Sequence, residues 1–206
     1  ERLKIKKILF SSVVPKAYKV VKKYFNKKIK KVKIYELKQL NLKKLIHLRV
    51  NRRQVGSDRL ANAIGIAEKK NNFIVIDFGT ATTLDLIGPK GAYEGGIIAP
   101  GVNLSIEALY MAAARLPRIA VKPWQTDMPV LGTDTISAMQ SGVFWGYVGM
   151  VEGLLERLRH SYGADLPAIA TGGLAPLFAD HINGPLTVDT DLTLKGLVRI
   201  HAQNKM

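Results

Sequence analysis

The stretch Phe73-Ile74-Val75-Ile76-Asp77-Phe78-Gly79-Thr80-Ala81-Thr82-Thr83-Leu84-Asp85 constrains the fold of this chain more than any other. Phe73 to Ile76 are large and mostly β-branched, the composition of a strand covered on both faces. The run ends on a carboxylate and is followed by a Gly-Thr turn and a second strand-like run rich in Thr and Leu. Gly79 takes backbone angles that other residues resist and lets a ligand approach the main chain closely. Thr80, Thr82 and Thr83 supply hydroxyls that can bond phosphate oxygens or a hydrated cation. Asp77 stands where strand meets turn, a position from which a carboxylate can organise a metal. On the bare pattern two readings stay open: an ordinary β-hairpin in which Asp77 caps a turn, or a hairpin that binds phosphate and a cation. Asp-Phe-Gly also matches the magnesium motif of protein kinases, but neither a His-Arg-Asp loop nor a Gly-x-Gly-x-x-Gly loop accompanies it.

On either side the chain reads as alternating α and β. Strands are expected over 6–14, 31–36, 47–50, 95–101 and 166–171, with helices over 16–25, 59–69, 104–115, 135–160 and 174–181 and a last helix through Ile200. Ser57 or Asp58 is the expected N-cap of the 59–69 helix, and Thr133 or Asp134 that of the 135–160 helix. Gly142, Gly146, Gly149 and Gly153 fall at spacings of 4, 3 and 4 on one stripe of that long helix. Glycine in a helix interior costs about 1 kcal/mol relative to Ala, so the stripe calls for a packing reason. Close packing inside the domain and a subunit interface are equally consistent with it.

Apolar residues make up 47% of the 206, enough for a real core. No cysteine is present, which excludes disulfides and thiolate metal sites and fits a reducing compartment. The charged start and the Ser11-Ser12 interruption argue against a signal peptide, and no run approaches the ~20 apolar residues of a membrane helix; a cytoplasmic setting without membrane partners is expected. The net charge of +15 is concentrated in residues 1–70, which hold 22 Lys/Arg and 4 Asp/Glu. The excess is mainly Lys, spread over several elements with sparse aromatic interleaving, so a solvated face is expected rather than a nucleic-acid surface. His47, His160, His181 and His201 are scattered without metal-ligand spacing, and no Walker loop or Gly-x-Ser-x-Gly elbow is present. Chemistry is left to Asp carboxylates, Thr hydroxyls and glycine-backed turns, a set suited to phosphoryl transfer, where positioning and charge neutralisation dominate.

Several motifs in order then resemble the type III pantothenate kinases: Val55-Gly56-Ser57-Asp58-Arg59, Asp77 to Thr83, Gly95 to Gly101, Leu116-Pro117, Gly132 to Thr135 with Ser141-Gly142, Thr171-Gly172-Gly173, and Leu192 to Leu197. Ser11 to Pro15 is similar to a late strand of the same family's first domain. The resemblance implies an actin-like (acetate kinase/Hsp70/actin) fold of two α/β domains. Residues 1–75 would be the remainder of the first domain, N-terminally truncated, and 76–206 the second. It implies ATP-dependent phosphorylation of pantothenate, the first step towards coenzyme A, by a homodimer whose active site lies at the subunit boundary. The implied cofactors are a monovalent cation, K⁺ or NH₄⁺, and Mg²⁺ with ATP.

Carried over by position, the resemblance makes Asp58 the general base, with Gly56, Ser57, Asp58 and Arg59 lining the pantothenate site. Thr135 would donate to that substrate. Asp77 would bind the monovalent cation, Thr80 the ATP phosphates, and Thr171, Gly172 and Gly173 would lie near the adenosine. Three departures stand out. The family's Asp-x-Gly-Asn-Thr hairpin is not among these residues, so the chain is expected to start some tens of residues into the family pattern. Arg49 stands seven residues before Gly56, where the family commonly has a substrate-contacting Tyr, and Ser57 replaces the usual Ala. A non-catalytic relative of Bvg accessory factor type, acting as a binding or regulatory protein, is the alternative expectation.

Overall fold

A computed structural model of the chain describes residues 5–29, 31–67 and 71–204, with the side chain of Lys90 excepted. Contacts divide these residues into two compact units. The first takes the described residues of Glu1–Asn71, Ile87–Gly95 and Asp191–Met206; the second is Asn72–Leu86 with Gly96–Thr190. This differs from a single boundary near residue 75, because two later segments return to the first unit. Side chains explain the second return: the C-terminal helix buries its inner face on a helix of the first unit.

In the first unit, β1 (Lys7–Phe10) leads to α1 (Pro15–Lys28) and β2 (Lys33–Glu36). β1 and β2 pair in parallel, Ile8 opposite Ile34, and α1 is the crossover that parallel pairing requires. Pro15 opens α1, since its missing N–H costs nothing at a first helical position. β1 ends at Phe10 and is shorter than the expected 6–14 run. β3 (His47–Leu48) pairs in parallel with the start of β6 (Ala92–Pro100), at Ala92 and Tyr93. α2 (Ser57–Ile66) packs on α6 (Leu192–Gln203). A Cβ on Gly196 would collide with the Ala61 carbonyl, and one on Gly65 would sit 2.8 Å from Leu192 Cδ1. Asn62, buried in α2, is bonded by Thr193 Oγ1 at 2.6 Å, and Arg199 donates to the Ile64 carbonyl at 3.0 Å. The expected N-caps of α2 are corrected: Gly56 holds the N-cap position, and Ser57 and Asp58 are already helical. Positions 68 and 69 of the expected helix lie outside the described residues.

In the second unit, β4 (Phe73–Phe78) and β5 (Ala81–Ile87) form a hairpin joined by Gly79 and Thr80. β5 is flanked on its other side by β6, and β4 by β7 (Ala168–Thr171), itself beside β8 (Leu186–Val188). β4, β7 and β8 are parallel. β4 has the both-sides burial that its composition implies: Ile74, Val75 and Ile76 are all fully buried. The core joins Ile74, Ile76, Phe78 and Leu84 of the hairpin to Phe144, Val148, Val151 and Leu155 of α4 (Thr135–Tyr162) and to Phe178 of α5 (Ala175–Phe178). α3 (Val102–Ala112) enters the same core through Val102 and Ile106. Asp134 caps α4 as expected, accepting from the amides of Ile136 and Ser137, while Ser137 Oγ accepts from the Asp134 amide in return. Gly142, Gly146 and Gly149 have open space around them, so among the described residues the stripe does not serve packing within the unit. No helix among the described residues is long and apolar enough to cross a membrane.

Candidate active site

Because β4 and β7 are parallel, their C-terminal ends meet side by side, with Asp77 opposite Thr171 in register. Two residues singled out from separate parts of the sequence are thus neighbours, at the end of a parallel sheet where α/β folds bind ligands. Thr171 is buried, and its Oγ1 has no hydrogen-bond partner among the described residues. Gly172 follows at φ +91°, a left-handed conformation that favours glycine. A Cβ there would lie 2.7 Å from the Phe78 carbonyl oxygen and 2.8 Å from Asp77 Oδ1. The β7–α5 turn therefore passes directly over the end of β4, and only glycine permits it. Gly173 is exposed beside it.

The hairpin turn has a second close neighbour. Gly101, the N-cap of α3, is so near that a Cβ would overlap the Thr80 carbonyl and approach that of Gly79 at 2.8 Å. Thr80 itself is exposed. On the strand behind it, Thr82 is wholly buried and its Oγ1 bonds the Tyr147 hydroxyl, which donates to the Pro100 carbonyl at 3.0 Å. Burial pushes the Tyr147 phenol above its ordinary pKa, against the lowering effect of its bonds to Thr82 and the Val102 backbone, so at neutral pH it keeps the proton it donates. Sequence reasoning missed Tyr147. It lies in Gly146-Tyr147-Val148-Gly149, where the glycine spacing drew the attention.

Asp77 and Thr171, with nearby main-chain carbonyls, offer only oxygen donors. That chemistry fits a hard monovalent cation or the hydrated magnesium of a nucleotide, and not a soft metal. Among the described residues no group of three or more His, Cys, Asp or Glu side chains is placed to hold a metal by itself, so a divalent ion here would take most of its ligands from phosphate and water.

In the first unit, Gly56 to Arg59 form the start of α2. A Cβ on Gly56 would run into the Asp58 carboxylate and turn it aside. Asp58 Oδ1 accepts from the Arg59 amide at 2.9 Å, which leaves the half-buried carboxylate oriented at the helix N-terminus. There the macrodipole favours negative charge. The Arg59 guanidinium is buried, 5.8 Å from the centre of the Tyr93 ring. Ser57 is fully buried; its hydroxyl accepts from Ser11 Oγ at 3.0 Å and donates to the Ser12 carbonyl at 3.1 Å. Arg49, at the position where a Tyr was expected, pairs with Glu94 at 3.1 Å. Thr135 is exposed at the first turn of α4, in the second unit. Pro100, Ser105, Leu109, Leu116, Thr135, Gly142, Gly146 and Tyr147 line an open, largely apolar groove of about 750 Å³ along α4.

The fold matches solved structures. A Baf-family protein from Campylobacter jejuni superposes with a TM-score of 0.62 at 20% identity, covering 98% of this chain and 85% of that one. MreB 5 of Spiroplasma citri bound to AMPPNP superposes at 0.50 with 13% identity, covering 98% and 69%. Identities this low speak for the fold alone, which is actin-like. Closer relatives are named type III pantothenate kinase. The Pelagibacter ubique protein is 47% identical over 195 residues, 95% of this chain and 77% of that protein. The Caulobacter vibrioides protein is 45% identical over 203 residues, 96% and 75%. The Paramagnetospirillum magneticum protein is 54% identical over 153 residues, 73% of this chain but 57% of that protein. The family model for type III pantothenate kinase matches residues 1–157, and with relatives near half identical over almost its whole length, this chain belongs to the type III pantothenate kinase family.

Proposed function

We propose that this chain transfers the γ-phosphoryl group of ATP to the hydroxyl of pantothenate, the first step towards coenzyme A, as the names of its relatives indicate. The observation that carries the reading is the meeting of Asp77 with Thr171 and Gly172: an oxygen-only, glycine-backed end of a parallel sheet. Thr80 at the exposed hairpin turn would bond the ATP phosphates, and Thr171 to Gly173 would lie by the adenosine. Asp77 and the unpartnered Thr171 hydroxyl would hold a monovalent cation, K⁺ or NH₄⁺, while Mg²⁺ would arrive with ATP and neutralise phosphate charge. Gly56, Ser57 and Arg59 would line the pantothenate site, with Arg59 presenting its fork of donors to a polar or anionic end of the substrate. Thr135 would donate to pantothenate from the start of α4. Asp58 would accept the proton of the attacking hydroxyl. In a loose phosphoryl-transfer transition state that proton leaves late, so Asp58 orients the nucleophile as much as it acts as a base. The protein would work as a homodimer, with the open glycine stripe of α4 as the surface a second copy covers. A cytoplasmic setting, where ATP is at hand, would suit this reading.

The test is phosphorylation of pantothenate by the purified protein with and without K⁺. Asp58→Asn should lower kcat by about 10²-fold or more with the fold intact by circular dichroism. Ordinary activity in that variant would remove the base assignment.

A further inference from the structure

Beyond these roles, we infer that Tyr147 is a positioning residue for the nucleotide, latching the β4–β5 hairpin to helix α4 and to the turn that begins α3. The inference rests on the reading of that hairpin as the ATP-phosphate site.

The latch is a relay of hydroxyls. Thr82 Oγ1 donates to Tyr147 Oη, which donates to the Pro100 carbonyl. Each donor has one proton and each is used, so both buried hydroxyls are satisfied only while the three groups stay together. The three lie on three elements: Thr82 on β5, Pro100 at the end of β6, and Tyr147 on the long helix. Thr82 is two residues beyond Thr80, and Pro100 immediately precedes Gly101, which touches Thr80 from the other side. The hairpin turn is therefore held from below through Thr82 and from beside through Gly101, and Tyr147 joins both supports. Its ring adds a second fixing, 6.2 Å from Phe78 and 5.2 Å from Phe178. The same side chain lines the groove beside Gly142 and Gly146. Whatever fills that groove thus bears on the residue that places the hairpin.

Phosphoryl transfer depends on positioning, so loosening the hairpin should weaken nucleotide binding more than pantothenate binding. Tyr147→Phe keeps the ring and removes the relay, leaving Thr82 Oγ1 and the Pro100 carbonyl without their partner. We expect KM for ATP to rise about tenfold while KM for pantothenate stays within about twofold. Thr82→Val should do the same, and the double variant should be little worse than either single one, since both cut one relay. Leu155→Ala, a buried change elsewhere on α4, serves as a control: it should lower the thermal midpoint at least as far without moving KM for ATP. Thr80→Val separates the inference from the reading beneath it. If Thr80→Val raises KM for ATP and Tyr147→Phe does not, the latch is wrong and the hairpin assignment stands. If neither moves it, both are wrong. A rise in both KM values by the same factor, matched by Leu155→Ala, makes Tyr147 merely structural and overturns the inference.

Discussion

Ser57 shows how one buried hydroxyl can anchor the start of a helix to a distant turn. It follows Gly56, precedes Asp58, and spends both its donor and an acceptor site on Ser11 and Ser12 in the turn after β1. The Ser57 hydroxyl thus ties the start of α2 to a second loop. Removing that link in Ser57→Ala leaves the Ser12 carbonyl and Ser11 hydroxyl short of a partner, at a net cost of about 1 kcal/mol, read from the urea midpoint. A midpoint equal to wild type would show that water replaces the hydroxyl without penalty. Asp77 and Thr80 stand out in the sequence by residue type at a strand-to-turn junction, whereas Asp58 is singled out only by the family resemblance. Tyr147 was not. A tyrosine in an apolar helix is an ordinary core residue until its hydroxyl is seen to reach a strand 65 positions away.

At the scale of elements, α2 and α6 are joined by glycine at their closest point. Gly196→Ala places a methyl group against the Ala61 carbonyl and must separate the helices. Overpacking of this kind costs about 1–3 kcal/mol, so the thermal midpoint should fall, and it should fall less in Gly173→Ala, where a Cβ meets open space. Equal midpoints would mean that the α2–α6 contact gives way easily. The N-terminus of α4 responds to pH. Its cap, Asp134, has its carboxyl held below the ordinary range, chiefly by the Ser137 backbone amide and then its hydroxyl. A carboxyl lowered in the folded state stabilises it at pH values above the ordinary Asp range, and that contribution is lost as pH falls through the lowered value. Amide protection in the first turn of α4, measured against the intrinsic exchange rate, should fall on acidification through that window, and Asp134→Ala should abolish the pH step. An unchanged step in the variant would assign the titration to another group.

For the whole molecule, the open stripe on α4 decides between chain and assembly. Glycine inside a helix is destabilising unless something approaches it, and nothing within the described residues approaches Gly142, Gly146 or Gly149. If a second copy covers the stripe, Gly146→Leu should convert a dimer to a monomer in light scattering, while circular dichroism keeps its helical signal. If the stripe faces water, Gly146→Ala should instead stabilise the protein by up to about 1 kcal/mol with no change in mass. By itself the sequence determined the alternation of α and β, the buried strand that carries Asp77, the cap at Asp134 and the motif series that marks the family, because each depends on residue type and short-range spacing. Boundaries were less legible: β1 ends at Phe10, short of the run to Val14, and Gly56 displaced the side-chain caps expected for α2. Only the tertiary structure decided which distant residues meet. The register of β4 with β7 sets Asp77 against Thr171, the return of 191–204 to the first unit follows from Gly196 fitting Ala61, and the open side of the glycine stripe is left by what the core does not cover. Those outcomes depend on contacts between segments far apart in the chain, and no local pattern around Asp77-Phe78-Gly79-Thr80 encodes them.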